Sequence, residues 1–358
     1  MSKKKSILIF MGKIFLSIIV IAVAVTIPLL KFVSNEDNLD KTFFGEKAEY
    51  QGVIELWHIE TFEGGTTSRA RWLEKRAIEF ENKFKGLYVL IKSMDLTGLE
   101  NALANGQCPD LFSFSKGAEE LIKDKLSNLQ FNSLNISNVS LFESGKVGDS
   151  LLAVPYCYSA YVLISSTQNL SNYENYNNES LAQLLYKTGY VKKLKKSEKN
   201  IYSCVYGGAG RTSPRKNIDA LGLTADELSF TNKVNEMSGY DAYCDFIAGN
   251  ANILVGTLRD LARIENKVSV GAWQDAIIEP FSKQTDMVCY LSATDFNGEL
   301  RKRYANEFIS FCLNESSQQK IAEMGLLSVI NNNIYSSGAI NVVEKYINGE
   351  VSCPKLFE

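Results

Sequence analysis

A single histidine, His58, serves a chain of 358 residues. A zinc-peptidase HExxH pair is therefore excluded, because that site needs two histidines on one helix face. A Ser-His-Asp triad would have to recruit His58, and no GxSxG elbow offers it a nucleophile. Seven cysteines are present (108, 157, 204, 244, 289, 312 and 353), but no two form a CxxC pair. Neither a four-cysteine zinc site nor a thioredoxin-type redox motif is encoded. No EF-hand loop occurs, and nothing in the chain asks for a cofactor. The segment Tyr206-Gly207-Gly208-Ala209-Gly210-Arg211-Thr212 looks superficially like a phosphate loop. It lacks the Gly-Lys-Ser/Thr ending and follows no clear strand, so it reads as a turn that could reach toward a cleft.

The balance of charge is equally restrictive. Thirty-eight basic and 41 acidic residues leave a formal charge of −3, where a nucleic-acid binder should carry a concentrated basic surface. The one basic cluster, Lys192, Lys193, Lys195, Lys196 and Lys199, has no interleaved aromatics and reads as a solvated face. The cysteine number is odd, and segments such as Val288-Cys289-Tyr290 and Phe311-Cys312-Leu313 are apolar. Buried thiols acting as small hydrophobes fit this pattern better than a disulfide framework. Hydrophobic residues at 45% describe a globular chain, and its length exceeds what one core usually serves, so two lobes are expected.

What is present begins at the N-terminus. Lys3, Lys4, Lys5 and Lys13 precede an uncharged apolar run from Ile14 to Leu30, closed by Lys31. Such a helix spans roughly 25 Å, near the lower limit for a hydrocarbon core, and snorkelling lysines can cover the shortfall. The lysines on the leading side predict that everything after Lys31 is exported. Two fates fit the run. Ala22-Val23-Ala24 has the form of a cleavage site, but cutting there would expose a greasy new terminus from Val25 to Leu30. An uncleaved signal anchor over residues 1–33, with a polar linker over 34–49, is the reading we prefer. No cysteine lies near enough to carry a lipid.

From Gly52 onward the pattern alternates strand and helix. Val53–His58 reads as a strand. The spacing of Ala70, Leu73, Ala77, Phe80 and Phe84 predicts a helix stopped by Gly86. Leu87–Ile91 is a near-continuous apolar strand of the kind covered on both faces. Leu96, Leu99 and Leu103 mark a short helix ended by Gly106, and Leu111–Phe114 is a third strand. Strands joined by helical crossovers lie parallel in one sheet. Further on, Leu151–Tyr156, Tyr161–Ile164, Asn252–Val255 and Val268–Trp273 read as strands, and Ser180–Lys187 as a helix. A helix from Leu300 to Leu313 is followed by one opening on a Ser316/Gln319 capping box.

The carboxyl end of the first strand stands out. In an open α/β sheet, ligands sit outside the strands' carboxyl ends. Here Trp57, His58, Glu60, Glu63, Gly64, Gly65, Thr66, Thr67 and Ser68 occupy that location, just before a helix N-terminus. The glycine pair permits close backbone approach, and the helix's first amides favour an anion or hydroxyl. The plainer alternative is a simple turn with Thr or Ser caps and a Trp57 and His58 buried in the core.

Taken in order, these segments resemble the maltose-binding-protein-like (family 1) extracellular solute-binding proteins of ABC transporters. The resemblance rests on Val53–His58 and on Gly106-Gln107-Cys108-Pro109-Asp110-Leu111. It continues through Ala153-Val154-Pro155-Tyr156, Phe246–Ile253, Ala305–Phe311 and Ser316–Gln319 with Gly325. It implies an α/β, two-lobed periplasmic-binding-protein-like fold with a ligand cleft between lobes. Lobe one would comprise 50–157 and 272–313, and lobe two 158–271 and 314–358. It also implies that Ser115, Tyr156, Tyr158 and Trp273 join the strand-end residues around a small-molecule ligand. A carbohydrate is favoured, and a phosphorylated polyol also fits. The expected partners are ABC permease subunits and the membrane, at the extracytoplasmic face. Two alternatives share these features: an anchored ligand sensor, disfavoured by the short segment ahead of the apolar run, and an extracytoplasmic glycoside hydrolase. A hydrolase needs only two carboxylates, and no spacing here selects a pair.

Overall fold

The computed structural model of the chain describes residues 46–60, 68–131, 136, 138–171, 180–181, 202–208, 235–330 and 333–357. The apolar run at 14–30 lies outside the described residues, as does all but the start of the helix expected at 180–187. Among the described residues no helix is long and apolar enough to cross a membrane.

The strands form two main sheets. In the first, the order is Leu327–Ser328 (β13), Val154–Tyr158 (β6), Val288–Ala293 (β12), Leu111–Ser115 (β3), Glu46–Ile59 (β1) and Phe84–Met94 (β2). β1 and β3 run parallel, with Leu56 beside Leu111, as the helical crossovers require. β12 returns antiparallel to both β3 and β6. The second sheet has the order Ile277–Pro280 (β11), Tyr161–Ser165 (β7), Ala251–Thr257 (β10), Tyr202–Gly208 (β8) and Asn235–Ser238 (β9). The strand expected at 151–156 is two pieces: Ser150–Leu151 (β5) pairs with Lys146–Val147 (β4), and β6 starts afresh at Val154. β11 therefore joins the second sheet and β13 the first, although each lies in the sequence interval expected for the other lobe.

By compactness the chain divides into Met1–Gly52 with Glu79–Leu87, and Val53–Ile78 with Tyr88–Glu358. In the smaller unit the rings of Phe80 and Phe84 meet at 4.8 Å. Gly86 does not stop the first helix, Arg69–Lys83 (α1); it lies inside β2 with φ +87°. That backbone, open to glycine, puts Phe84 and Leu87, three apart, on the same buried side. β2 is an edge strand, and Tyr88 and Leu90 are exposed, so it is covered on one face and not two.

In the larger unit, Leu96–Ala104 (α2) opens on Asp95, whose carboxylate accepts the Gly98 N–H at 2.7 Å. Val139–Ser144 (α3) is capped by Asn138. Gly239–Ile247 (α4) packs on β8 and β10. The residues expected to form a strand at 268–273 end a helix instead, Leu258–Ser269 (α5). A Thr257/Asp260 capping box starts it, and buried Leu258, Leu261 and Ile264 carry its inner stripe, so Val268 continues the helical period. Glu299–Cys312 (α6) buries Tyr304, Ala305, Phe308, Ile309 and Cys312, while Phe311 is half-buried. The next helix, Glu315–Gln319 (α7), is capped by Asn314, which accepts the Ser317 N–H at 2.8 Å. Ser316 already lies in its first turn. Gly338–Ile347 (α8) packs on α5 and β11.

Pro155 sits in β6 opposite β12, where a residue without an N–H weakens pairing. The β6–β12 register shifts at that point: Cys157 faces Cys289, yet Pro155 faces Tyr290. Tyr156 is the extra residue of this bulge.

Candidate functional site

Among the described residues, two connections link first-sheet strands directly to second-sheet strands. Ser159–Ala160 joins β6 to β7, and residues 281–287 join β11 to β12. The two are laced together. The Ser159 N–H donates to Met287 O at 2.9 Å, Thr285 Oγ1 donates to Ser159 O at 2.7 Å, and Tyr161 OH donates to Asp286 Oδ1 at 2.7 Å. Ser352 lies parallel to Gln284, and its carbonyl accepts the Thr285 N–H.

On the first-sheet side, the carboxyl ends of β1 and β3 and the bulge of β6 bring together several of the predicted residues. His58 Nδ1 lies 3.0 Å from Ser113 Oγ, which lies 3.1 Å from Tyr156 OH. Arg69, fully buried on α1, donates to Ser115 Oγ at 3.0 Å and to Cys289 Sγ at 3.1 Å. The Trp72 ring stacks on Tyr156 at 5.6 Å, and the Arg76 guanidinium lies 5.3 Å from the Trp72 ring centre. Burial pushes the Tyr156 phenol well up, against the opposing charge of Arg69. At Cys289 burial also opposes ionisation, but the hydrogen bond from Cys157 and the Arg69 charge outweigh it and lower the thiol's pKa.

His58 and Tyr156 are thus joined through Ser113, while Ser115 bonds to Arg69 and Cys289, and the structure buries all four of His58, Ser113, Ser115 and Tyr156. Trp57 points to the opposite face of β1, against Phe112 at 6.0 Å edge-on, and its indole N–H donates to Glu55. Burial would raise the Glu55 carboxyl, but Lys92 and Trp57 hold it below the ordinary range. Tyr158, also buried, has its phenol pushed up by burial and by Glu344. Glu60 and Ser68 are exposed, and Ser68 accepts the Arg71 N–H at the start of α1. Trp273 is half-buried beyond α5, tilted against Phe246 at 5.7 Å. Glu63, Gly64, Gly65 and Thr66 lie outside the described residues.

Sequence reasoning passed over Arg69, Trp72 and Arg76. The signal was available: at i, i+3 and i+7 they share a helix face with apolar Leu73 and Ala77. A charged residue on that stripe must find partners beneath the helix.

One cavity, of about 620 Å³, opens elsewhere, between residues 128–131 and α6, and holds none of the predicted residues. Lys302 and Arg303 at its rim pair with Asp295 and Glu307. Among the described residues, no group of three His, Cys, Asp or Glu side chains is placed to hold a metal ion.

No family model matches the sequence, and no curated protein matches it. The fold does have close structural counterparts. The GacH receptor of Streptomyces glaucescens, solved unliganded and with acarbose, superposes with a TM-score of 0.60 at 11% identity, over 86% of this chain and 89% of that one. An ABC substrate-binding protein from Listeria monocytogenes, in complex with cycloalternan, gives 0.59 at 13% identity, over 85% and 88%. A cyclo/maltodextrin-binding protein complexed with maltotetraose gives 0.58 at 13%, over 87% and 88%. These neighbours are binding proteins, and the chain has the mixed α/β fold of two-lobed solute-binding proteins.

Proposed function

We propose that the chain is the extracytoplasmic solute-binding component of an ABC import system and captures an oligosaccharide. The likeness in fold to carbohydrate receptors over 84% or more of the chain carries this reading. The laced connections at 159–160 and 281–287 give it a mechanism. Few backbone dihedrals separate the two sheets there, so a ligand touching both sides biases an open–closed equilibrium. A permease then reads the closed form. The apolar run at 14–30 would hold the protein at the membrane.

Within this reading the predicted residues that the structure describes divide by exposure. Exposed Glu60 and Ser68 and half-buried Trp273 are the proposed ligand contacts, and Glu63–Thr66 are proposed with them on the sequence alone. An indole face suits a sugar ring, and carboxylates orient hydroxyls. The buried His58, Ser115 and Tyr156 would hold the strand ends beneath them, with Trp57 packing on the opposite face of β1.

The test is a thermal-shift and solution-scattering panel of maltotriose, maltotetraose, acarbose, cycloalternan and glycerol phosphate. A ligand at 100-fold over its Kd stabilises the native state by about 2.7 kcal/mol, which raises Tm by several degrees. An oligosaccharide should raise Tm and lower the radius of gyration together, and Trp273→Ala should weaken that response. A panel that moves neither quantity refutes the proposal.

A further inference from the structure

Cys157 and Cys289 are matched partners across the antiparallel strands β6 and β12. Residues so placed have Cα atoms about 4.5–5.5 Å apart, within the span a disulfide bridges. The two side chains already hydrogen-bond each other, and both are fully buried. Around Cys289 the donors are those a thiolate needs. Arg69 Nη1 stands 3.1 Å from its Sγ, and Ser115 Oγ stands 3.6 Å away. Neither group touches the solvent, so the arrangement costs a buried guanidinium that a merely apolar cysteine would not call for. The register shift beside Cys289 relaxes the ladder where the two sulfurs would have to approach.

We propose that Cys157 and Cys289 form a dithiol–disulfide pair, oxidised by a small organic disulfide to a covalent bond between β6 and β12. The Cys289 thiolate attacks one sulfur of the reagent, RSSR, forming a mixed disulfide and releasing RS⁻. Cys157 then gives up its proton, and its thiolate attacks the Cys289 sulfur and expels the second RS⁻. Two protein thiols are oxidised by two electrons, and one RSSR is reduced to two RSH. The hydrogen bond sets the roles: Cys157 donates and keeps its proton, while Cys289 is the nucleophile, favoured by Arg69. The bond would tie together the strand that enters the first connection and the strand that leaves the second. Access to the buried pair comes through local opening.

The test uses the full chain in its native state. Brief alkylation first blocks exposed Cys244 and half-buried Cys108 and Cys353. Hydroxyethyl disulfide is added next, and the protein is then unfolded, alkylated again with an isotopically distinct reagent, and digested without reductant. The expected product is one linked peptide pair containing residues 157 and 289, two hydrogens lighter than the thiol form and cleaved by dithiothreitol. In Cys157→Ser the expected product is instead a stable hydroxyethyl adduct on Cys289. The proposal is overturned if, in the unmutated chain, both residues carry only the second alkylating label. It is overturned equally if Cys289 retains the hydroxyethyl adduct or bonds to a different cysteine. The peptide map of the unmutated chain decides the matter even if the serine variant does not fold.

Discussion

Replacing Asp110 tests a buried carboxylate that is bonded on every side. Its carboxylate is 2% exposed and meets four donors. Oδ2 accepts the Glu55 N–H at 2.8 Å and pairs with Arg301 Nη2; Oδ1 accepts Arg301 Nε at 2.8 Å and Asn297 Nδ2 at 2.9 Å. Asparagine offers one acceptor oxygen for these donors and turns an NH2 toward the others. It should therefore behave nearly as badly as alanine. Breaking a buried pair costs about 3–5 kcal/mol. Arg301 is 27% exposed and can regain some water, which places Asp110→Asn near the low end, at about 3 kcal/mol. Arg301→Ala should cost less, about 1–2 kcal/mol, because Asp110 keeps the Glu55 and Asn297 donors. The double variant should fall short of the sum of the singles, because both remove the same bond. Urea unfolding followed by the fluorescence of the three tryptophans measures all three. If Asp110→Asn lies within about 0.5 kcal/mol of the unmutated chain, the reasoning that this carboxylate organises its surroundings is refuted.

Other substitutions probe different physics. A methyl group on Gly145 would lie 1.9 Å from the Ala153 carbonyl oxygen, a backbone atom that cannot swing away; Gly145→Ala should cost about 3 kcal/mol in urea midpoint analysis. Gln318 is fully buried, donating to Tyr156 O and Cys312 O and accepting from Ser328 Oγ and Val329 N. Gln318→Leu keeps the volume but strands those groups, a loss of about 2–3 kcal/mol by the same measurement. Burial raises the Asp260 carboxyl despite the Thr257 hydrogen bonds. A raised acid favours folding below the unfolded value of about 3.9, and that contribution is lost as pH rises through the folded one. The stability of the unmutated chain relative to Asp260→Asn should therefore decline as pH is raised through this range, and a flat or rising difference would show the assignment to be wrong.

The alternation of strand and helix from Val53 to Phe114 was readable because each element carries an unbroken period of 2 or 3.6. The errors arose where local pattern is silent about neighbours. Leu87–Ile91 is apolar enough for a covered strand, but only the strand order makes β2 an edge with Tyr88 and Leu90 exposed. Val268–Trp273 is β-branched enough for a strand, yet the capping box at Thr257 commits the chain to helix eleven residues earlier. At the candidate site, the location of His58 at a strand end was legible and its surroundings were not. Ser113 reaches it from β3 and in turn meets Tyr156 at a bulge in β6, while Arg69 on the next helix meets Ser115 and Cys289, and sequence spacing does not encode such meetings.

Asp110 and Gln318 show how polar side chains hold this topology in place. Asp110 joins β1, the entry to β3, and the first turns of α6, elements that start at residues 46, 111 and 299. Gln318 joins β6, the end of α6 and β13. Between them they bond to four of the six strands' immediate neighbourhoods in the first sheet, with β1 and β6 reached from distant stretches of chain. An apolar contact in that sheet tolerates exchange among residues of similar volume. A carboxylate with four donors, or an amide with four partners, tolerates almost none, because every alternative leaves a buried group unpaired. In this chain the arrangement of first-sheet strands is therefore pinned by a few polar side chains, and its apolar contacts are the freer to vary.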